Sequence, residues 1–550
     1  MKHKTLIPLL ALVAGLTAAH AAPPKAPKLV VAILVDQLRY DYLDRFHAQF
    51  VEGGLRELTD KGAFMTFAQY NYYPTITAPG HASFFSGSSP MMHGVIANDW
   101  FDKRSGEMMY CVEDAGVTGV GTKPDAKAGK MSPRNFTGAT VADQMRLHWG
   151  SKVVSMSVKD RGAILPAGKK PTGAYWFESA SGNFITSSYY QNELPAWVKA
   201  FNDSKRPDAF VGQTWERLLD EKQYSESDES AGESHLAGEK GSTFPHKVIK
   251  EEKEGYEPIL STPYGNQLLM EFAKAAIEGE KLGQGSQPDL LCVSFSSIDY
   301  CGHKFGPYSQ EVHDITLRLD RQLKELFAYL DKKVGLANVV MVLTADHGVA
   351  PNPENAKEQG LDGGRPAITD MLVELQSKVA ERFGEGHYFL SPKGSLKPRL
   401  VEGNLYFDHA VLAEKKLQPE VLTDFIREWA LSTGVVHAVY SRQQLLEGRA
   451  PGVIGQRIAN GFNGERSGDA VIILKPWLIA GTGKPATGTT HGSPFSYDTH
   501  IPIIFYGAPF KTGRYADEFS ITDLAPTLSA ALGIQEPPMC MGKPLVRALK

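Results

Sequence analysis

The stretch KLVVAILVDQ, Lys28 to Gln37, is an almost unbroken run of β-branched and aliphatic residues that ends on a carboxylate. Without polar alternation, such a run predicts a strand buried on both faces, as in a parallel sheet covered by helices. The pattern returns in DLLCVSFSSIDY, which reaches Asp299, and in NVVMVLTADHG, which reaches Asp346 and His347. Between the last two, Ile315, Leu319, Leu323, Leu326 and Leu330 recur at helical spacing. Strand, helix, strand implies a parallel pair joined by a right-handed crossover. HIPIIFYG (His500–Gly507) predicts a further core strand, and ITDLAPTLSAALG (Ile521–Gly533) a late helix ended by its glycine. The expected fold class is α/β: a central, mostly parallel sheet with helices on both faces and inserted cap subdomains.

The bulk numbers narrow the function. A chain of 550 residues can bury a large core, and 42% hydrophobic with 22% charged residues is ordinary for a globular protein. A formal net charge of −4 gives no reason to expect nucleic-acid or general membrane-surface binding. The N-terminus, MKHKTLIPLLALVAGLTAAHAAPPKAPK, has a basic start, an apolar run too short to span a bilayer comfortably, and a small-x-small Ala19-His20-Ala21. It predicts a signal peptide over 1–21 with cleavage near Ala21/Ala22, and hence a periplasmic or secreted protein; an anchoring helix is the alternative. No later segment reads as a membrane span. In an oxidising compartment Cys111, Cys292, Cys301 and Cys540 allow two bridges in three pairings, and their spacing is not that of a zinc knuckle.

The catalytic domain is expected over 22–550, with insertions at about 166–262 and 363–485. The first contains SESDESAGESHLAGEKGS, a charge run that reads as a solvated loop. In the second, NLYFDH, PEVLTDFIREWAL and VVHAVYS suggest a small strand–helix–strand unit. Both insertions would wall the site.

Ligands in α/β folds gather at the carboxyl ends of the strands, and three core strands here end in aspartate. Asp36, Asp299 with His303, Asp346 with His347, and His491 of TTHGS supply three carboxylates and three imidazoles. Six such ligands suit two catalytic metals that keep open positions. Gly302 and the nearby Phe-Gly-Pro predict a loop for Asp299–His303; Asp346 and His347 serve one region only where the strand has ended, as Gly348 suggests. In TITAPGH, Pro79 suits the first turn of a short helix with Thr77 just before it. A helix start favours phosphate and alkoxide, so Thr77 is a candidate nucleophile, with a plain N-cap as the competing reading. Thr75 lies too far before the turn. Asn98 of GVIANDWFD is a candidate donor to a phosphoryl oxygen, or a turn residue. Lys159 and Arg161 of SVKDRGAILPAG would share a face in extended chain and clamp a dianion, or be a solvated pair. His93, His148, His313, His409, His437 and His500 have no such context and read as ordinary surface or core histidines.

VDQ, TITAPGH, ANDWFD, KDRGAILPAG, DYCGHKFGP, TADHG and GTTHGSPFSYDTHIP occur in an order that resembles the alkaline phosphatase superfamily, and within it the bacterial monomeric, threonine-nucleophile alkaline phosphatases related to type I phosphodiesterase/nucleotide pyrophosphatases. The resemblance runs over nearly the whole mature chain. It implies two Zn²⁺ per chain, one held by Asp299, His303 and His491, the other by Asp36, Asp346, His347 and the Thr77 oxygen. It further implies that Thr77 forms a phosphothreonine and that Asn98, Lys159 and Arg161 bind nonbridging oxygens. Small phosphate monoesters are the expected partners, and a monomer the expected state. A sulfatase of the superfamily would carry C/S-x-P-x-R where this chain reads Thr77-Ala-Pro-Gly-His81. The alternatives are a phosphodiesterase of the same superfamily and, in another class, an exported phosphate- or metal-binding protein.

Overall fold

The computed structural model describes residues 26–391, 397–482 and 486–550; the expected signal peptide lies outside them. The central sheet is built from β1 (Leu29–Val35), β2 (Ala63–Gln69), β3 (Gly119–Val120), β4 (Val153–Ser157), β5 (Gly173–Glu178), β6 (Asn183–Ser187), β7 (Asp289–Phe295), β8 (Val339–Thr344), β9 (His500–Tyr506), β10 (Gly513–Tyr515) and β11 (Phe519–Ser520). Its order is β10-β2-β9-β8-β1-β7-β4-β5-β6-β3, with β11 also paired to β2. The run from β8 to β5 is parallel; β9 and β6 are added antiparallel at its two sides. The mixed α/β architecture is the one the strand pattern predicts.

All seven residues of β1 are fully buried, between β7 and β8. Each buried Val, Leu or Ile side chain there is worth about 1.5–3 kcal/mol, which is why the strand shows no polar alternation. The crossover from β7 to β8 runs through the long helix Gln310–Val334. The helices that matter for the site are, in chain order, α1 (Thr77–Ser86), α2 (Asp160–Ile164), α3 (Pro263–Glu280), α4 (Ser297–Phe305) and α5 (Gln310–Val334). The predicted stripe Ile315, Leu319, Leu323, Leu326 and Leu330 of α5 is buried throughout. The late helix spans Leu524–Leu532 and stops at Gly533, whose φ of 68° is the left-handed cap geometry.

Two local expectations are corrected. The stretch after Pro166 first supplies β5 and β6 to the central sheet, so the part of that segment outside the sheet begins only after Ser187. Residues of GAYWFE are buried on both faces, which removes the alternation that marks a strand. The charge run is a loop, but it is only partly solvated. Arg45 and His313 both bond the Glu226 carboxylate, the latter at 2.7 Å through Nδ1. The Ser234 N–H donates to the Lys304 carbonyl at 2.8 Å, and the Gly488 N–H to the Gly232 carbonyl at 2.6 Å. The loop therefore buttresses α4 and the segment leading to His491. Composition cannot reveal this, because the partners of Glu226 lie 181 and 87 residues away in Arg45 and His313.

Between 363 and 485 the chain forms a cap: an antiparallel three-stranded sheet of Asn404–Leu405, Ala470–Leu474 and Val436–Ser441. Helices Ile368–Phe383 and Pro419–Ser432 cover it, with a core of their own around Leu372, Leu375, Leu422 and Ile426. The cap is tied to the segment just before Thr77: the Tyr73 N–H donates to the Arg457 carbonyl at 3.0 Å, and Asn460 Nδ2 to the Asn71 carbonyl at 2.7 Å. All four cysteines are free thiols; Cys111, Cys292 and Cys301 are buried and Cys540 half-buried. Among the described residues no helix is long and apolar enough to cross a membrane.

Candidate active site

Parallel strands bring Asp36, Asp346–His347 and Asp299 to one edge of the sheet, just past the ends of β1, β8 and β7. Asp346 and His347 follow the last strand residue, Thr344, so both turn into the same site. His347 Nε2 lies 3.4 Å from Asp36 Oδ1 and 3.4 Å from Asp346 Oδ2. Asp299 and His303 sit one turn apart on α4, with His303 Nε2 3.2 Å from Asp299 Oδ1. This corrects the expected loop. Gly302 is kept out of a loop by tertiary contact: a Cβ there would lie 1.9 Å from Gln37 Oε1, so glycine serves a close approach and not a turn. His491 Nε2 is 3.6 Å from Asp299 Oδ1, and its ring stacks on His347 at a centroid distance of 3.4 Å.

Two groups offer ligand atoms all within 4.8 Å of one another: Asp36, Asp346 and His347; and Asp299, His347 and His491. His347 belongs to both, and His303 is attached through Asp299. Asp36 Oδ1 and Asp346 Oδ2 are buried with no hydrogen-bond partner. Unpaired buried carboxylate oxygens are costly unless a cation meets them, so the donor set fits divalent metal. Electrostatics agree for two of the three imidazoles; at His303 burial would lower the pKa, but Asp299 outweighs it and raises it. Burial holds His347 down at about 3 and His491 well below its ordinary value, leaving neutral rings with a lone pair to give. His491 Nδ1–H donates to the Thr75 carbonyl at 2.9 Å, which leaves Nε2 as the ligand atom. Burial, reinforced by Asp36, drives Asp346 far above the carboxylate range. At Asp299 burial is outweighed by His303 and Lys159, and the carboxyl lies well below it.

Thr77 is the first residue of α1, and Ile76 is the N-cap, so the hydroxyl is not spent on capping. Thr77 Oγ1 lies 3.5 Å from His347 Nε2 in a side chain that is 1% exposed. The first turn offers fewer donors than a helix start normally does. Pro79 has none, the Gly80 N–H returns to Ile76, and the Ala78 N–H donates to Asn98 Oδ1 at 2.9 Å. That last bond fixes the Asn98 amide and leaves Nδ2 free to donate. Gly80 lets α1 press onto the end of β8: a Cβ would sit 2.5 Å from the Asp346 carbonyl.

Lys159 and Arg161 do not both lie in extended chain. Lys159 is the N-cap of α2 and Arg161 lies in its first turn, because the chain turns helical at Asp160. Lys159 Nζ bridges Asp36 Oδ2 and Asp299 Oδ2 at 2.5 Å each. Burial would lower its pKa, but Asp299 and Asp36 outweigh it. Arg161 Nη1 donates to Tyr110 Oη at 3.0 Å, while its buried Nε has no partner.

Three residues escaped the sequence reading. Tyr110 donates to Asp160 Oδ1 at 2.6 Å and so braces Arg161; a hairpin pairs Asp99 with Tyr110, setting Asn98 beside that brace. Gln37, with a left-handed φ of 65°, donates its N–H to Asp346 Oδ1 and its Nε2 to Asp299 Oδ1. His81 Nδ1–H donates to the Thr77 carbonyl at 2.8 Å and stands 3.4 Å from Asp346 Oδ2; burial holds it down at about 4. The signal for Gln37 and His81 was their adjacency to Asp36 and Thr77. Tyr110 gave none, since its partners lie 50 and 51 residues on.

A site of carboxylates and imidazoles at strand ends, facing a buried threonine and a guanidinium, is that of a metal-assisted phosphoryl- or sulfuryl-transfer protein. The chain belongs to the type I phosphodiesterase / nucleotide pyrophosphatase family, whose pattern matches residues 30–494. It is 40% identical over 528 residues to alkaline phosphatase PafA of Elizabethkingia meningoseptica, covering 95% of this chain and 94% of that protein. It is 39% identical over 533 residues to alkaline phosphatase PhoV of Synechococcus elongatus, covering 95% and 93%. The crystal structure of wild-type alkaline phosphatase PafA superposes with a TM-score of 0.89 at 39% identity, covering 96% of this chain and 100% of that one.

Proposed function

We propose that this protein is an alkaline phosphatase that hydrolyses phosphate monoesters through a phosphothreonine at Thr77, with two zinc ions held by Asp36, Asp346 and His347 and by Asp299, His303 and His491. The observation that carries the reading is the Thr77 hydroxyl. It is not used for capping, is buried, and is aimed at the ligand cluster beside a pre-oriented Asn98 amide.

In such a ligand set a divalent metal supplies Lewis acidity, which favours the alkoxide form of a nearby hydroxyl and opposes charge on a leaving oxygen. The chain's own groups do the rest. The positive end of α1 favours the Thr77 alkoxide. Asn98 Nδ2 and Arg161 donate to nonbridging oxygens, and the Tyr110–Asp160 brace holds the guanidinium in place. The Thr77 oxygen–phosphorus bond forms as the bond to the alcohol oxygen breaks, and the alcohol leaves with a proton. Water then cleaves the phosphothreonine, releasing phosphate and restoring the hydroxyl. Lys159, set between Asp36 and Asp299, balances their buried charge.

A monoester dianion carries more charge on its nonbridging oxygens than a diester does, so buried cations favour it. The names of the relatives point the same way. The N-terminal 21 residues support an exported, periplasmic or secreted enzyme acting on small phosphate monoesters. The zinc-loaded protein is expected to show a kcat/KM ratio far above one for an aryl phosphate over its methyl diester. A ratio below one makes it a phosphodiesterase.

A further inference from the structure

A cleft of about 420 Å³ separates the core from the cap and opens onto the ligand cluster. On the core side it is lined by Asn98, His303 and His491; on the cap side by Ile472, Leu474 and Leu478. That volume is far more than a phosphate needs and is in the range of a small-molecule pocket. An apolar wall contributes nothing to binding a bare dianion, so this wall must meet the organic part of the ester.

One residue of the cap wall breaks a local rule. Val401 and Asn404 exchange backbone hydrogen bonds of 3.0 and 2.9 Å around the two-residue turn Glu402–Gly403. Both turn residues have positive φ, 44° and 75°. Such turns favour Asn, Asp or Gly, and a glutamate at the first position is strained. Gly403 is required, because a Cβ would fall 2.1 Å from Tyr73 Oη; that contact seats the turn on the core. Glu402 lines the cleft and is open to its water. Among the described residues its carboxylate has no hydrogen bond or ion pair. It stands near Asp99, the neighbour of Asn98, and near exposed Arg399. Lys475 also lines the cleft and is exposed.

We propose that this cleft is the leaving-group subsite, and that Glu402 makes it select phosphate monoesters whose alcohol part is apolar and neutral or cationic over those whose alcohol part carries a second anion. The inference rests on the phosphomonoesterase reading. A carboxylate on the order of 7 Å from a substituent charge, in partly screened surroundings, shifts affinity about 5- to 30-fold in each direction.

The test uses the full zinc-loaded chain, wild type and Glu402→Gln, with phenyl, 4-(aminomethyl)phenyl and 4-carboxyphenyl phosphates. Comparing variants on the same pair cancels differences in leaving-group reactivity. The aminomethyl-to-carboxy ratio of kcat/KM is expected to fall at least fivefold in the variant. Inhibition constants of the matching aryl phosphonates should move in the same order, and added salt should shrink the wild-type ratio, a readout that needs no variant. Robust phenyl phosphate turnover with the ratio unmoved by substitution and by salt overturns the subsite while sparing the phosphatase reading. No zinc-dependent turnover of phenyl phosphate by the wild type removes both.

Discussion

The two walls of the cleft are made differently. The core wall is polar and over-determined: Asp299 is held by Gln37, His303 and Lys159, and His491 by the Thr75 carbonyl. The cap wall is mostly apolar; its charged members are Glu402 and Lys475, and among the described residues the Glu402 carboxylate is held by nothing but its turn. Reaction geometry tolerates little error, so its groups are fixed from several sides. Choice of leaving group needs only shape and a field, which a strained turn on an inserted unit can supply. The contrast teaches that chemistry and selectivity are carried by separable parts of this chain.

The largest effect should come from the core wall. Thr77→Ala is expected to lower kcat/KM roughly 10³-fold or more on every monoester alike, whatever the leaving group, with an unchanged unfolding midpoint. A loss that varies strongly between neutral and charged leaving groups would break the division of labour. Next is the guanidinium. Arg161→Ala should cost about 10²-fold on a monoester and much less on the methyl diester. Tyr110→Phe, which removes only its brace, should cost about 3- to 10-fold and move kcat more than KM. Equal losses on both esters would show that Arg161 does not sense the dianion. The charge selection by Glu402 follows in size.

The smallest effect lies behind the core wall, in the buttressing loop. Burial would raise the Glu226 pKa, but His313 and Arg45 outweigh it and hold the carboxyl down at about 2. Its unfolded value is near 4.5. A depressed folded pKa contributes stability that is fully present above pH 4.5 and is lost as pH falls toward 2. After allowance for partial exposure this amounts to about 1–2 kcal/mol. Thermal unfolding of Glu226→Gln against wild type should show that gap at pH 6 and near-coincidence below about pH 2. A constant gap across the range would mean that the loop is held by packing.

Much of this was legible along the chain. The runs ending at Asp36, Asp299 and Asp346 were visible because a strand buried on both faces must be continuously apolar, and a carboxylate at its end then stands out. Thr77 was visible because Pro79 marks the first turn of a helix, which α1 bears out. Helix α4 was not, because Gly302 looks like a breaker until the approach of Gln37 is known. The extended reading of Lys159 and Arg161 failed because helix α2 is only five residues long, too short for periodicity to register.

The sequence by itself determined the parallel α/β core and the family, and it singled out the six candidate metal ligands and the candidate threonine nucleophile, since each depends on local apolar pattern or on residues grouped in short motifs. Tertiary structure alone decided that Lys159 bridges Asp36 and Asp299, that Tyr110 braces Arg161, that an acidic stretch props the site, and that a strained Glu402 looks into the cleft. Those are pairings between residues tens to hundreds of positions apart, and they arise only when burial forces each charge to find the partner that folding brings to it.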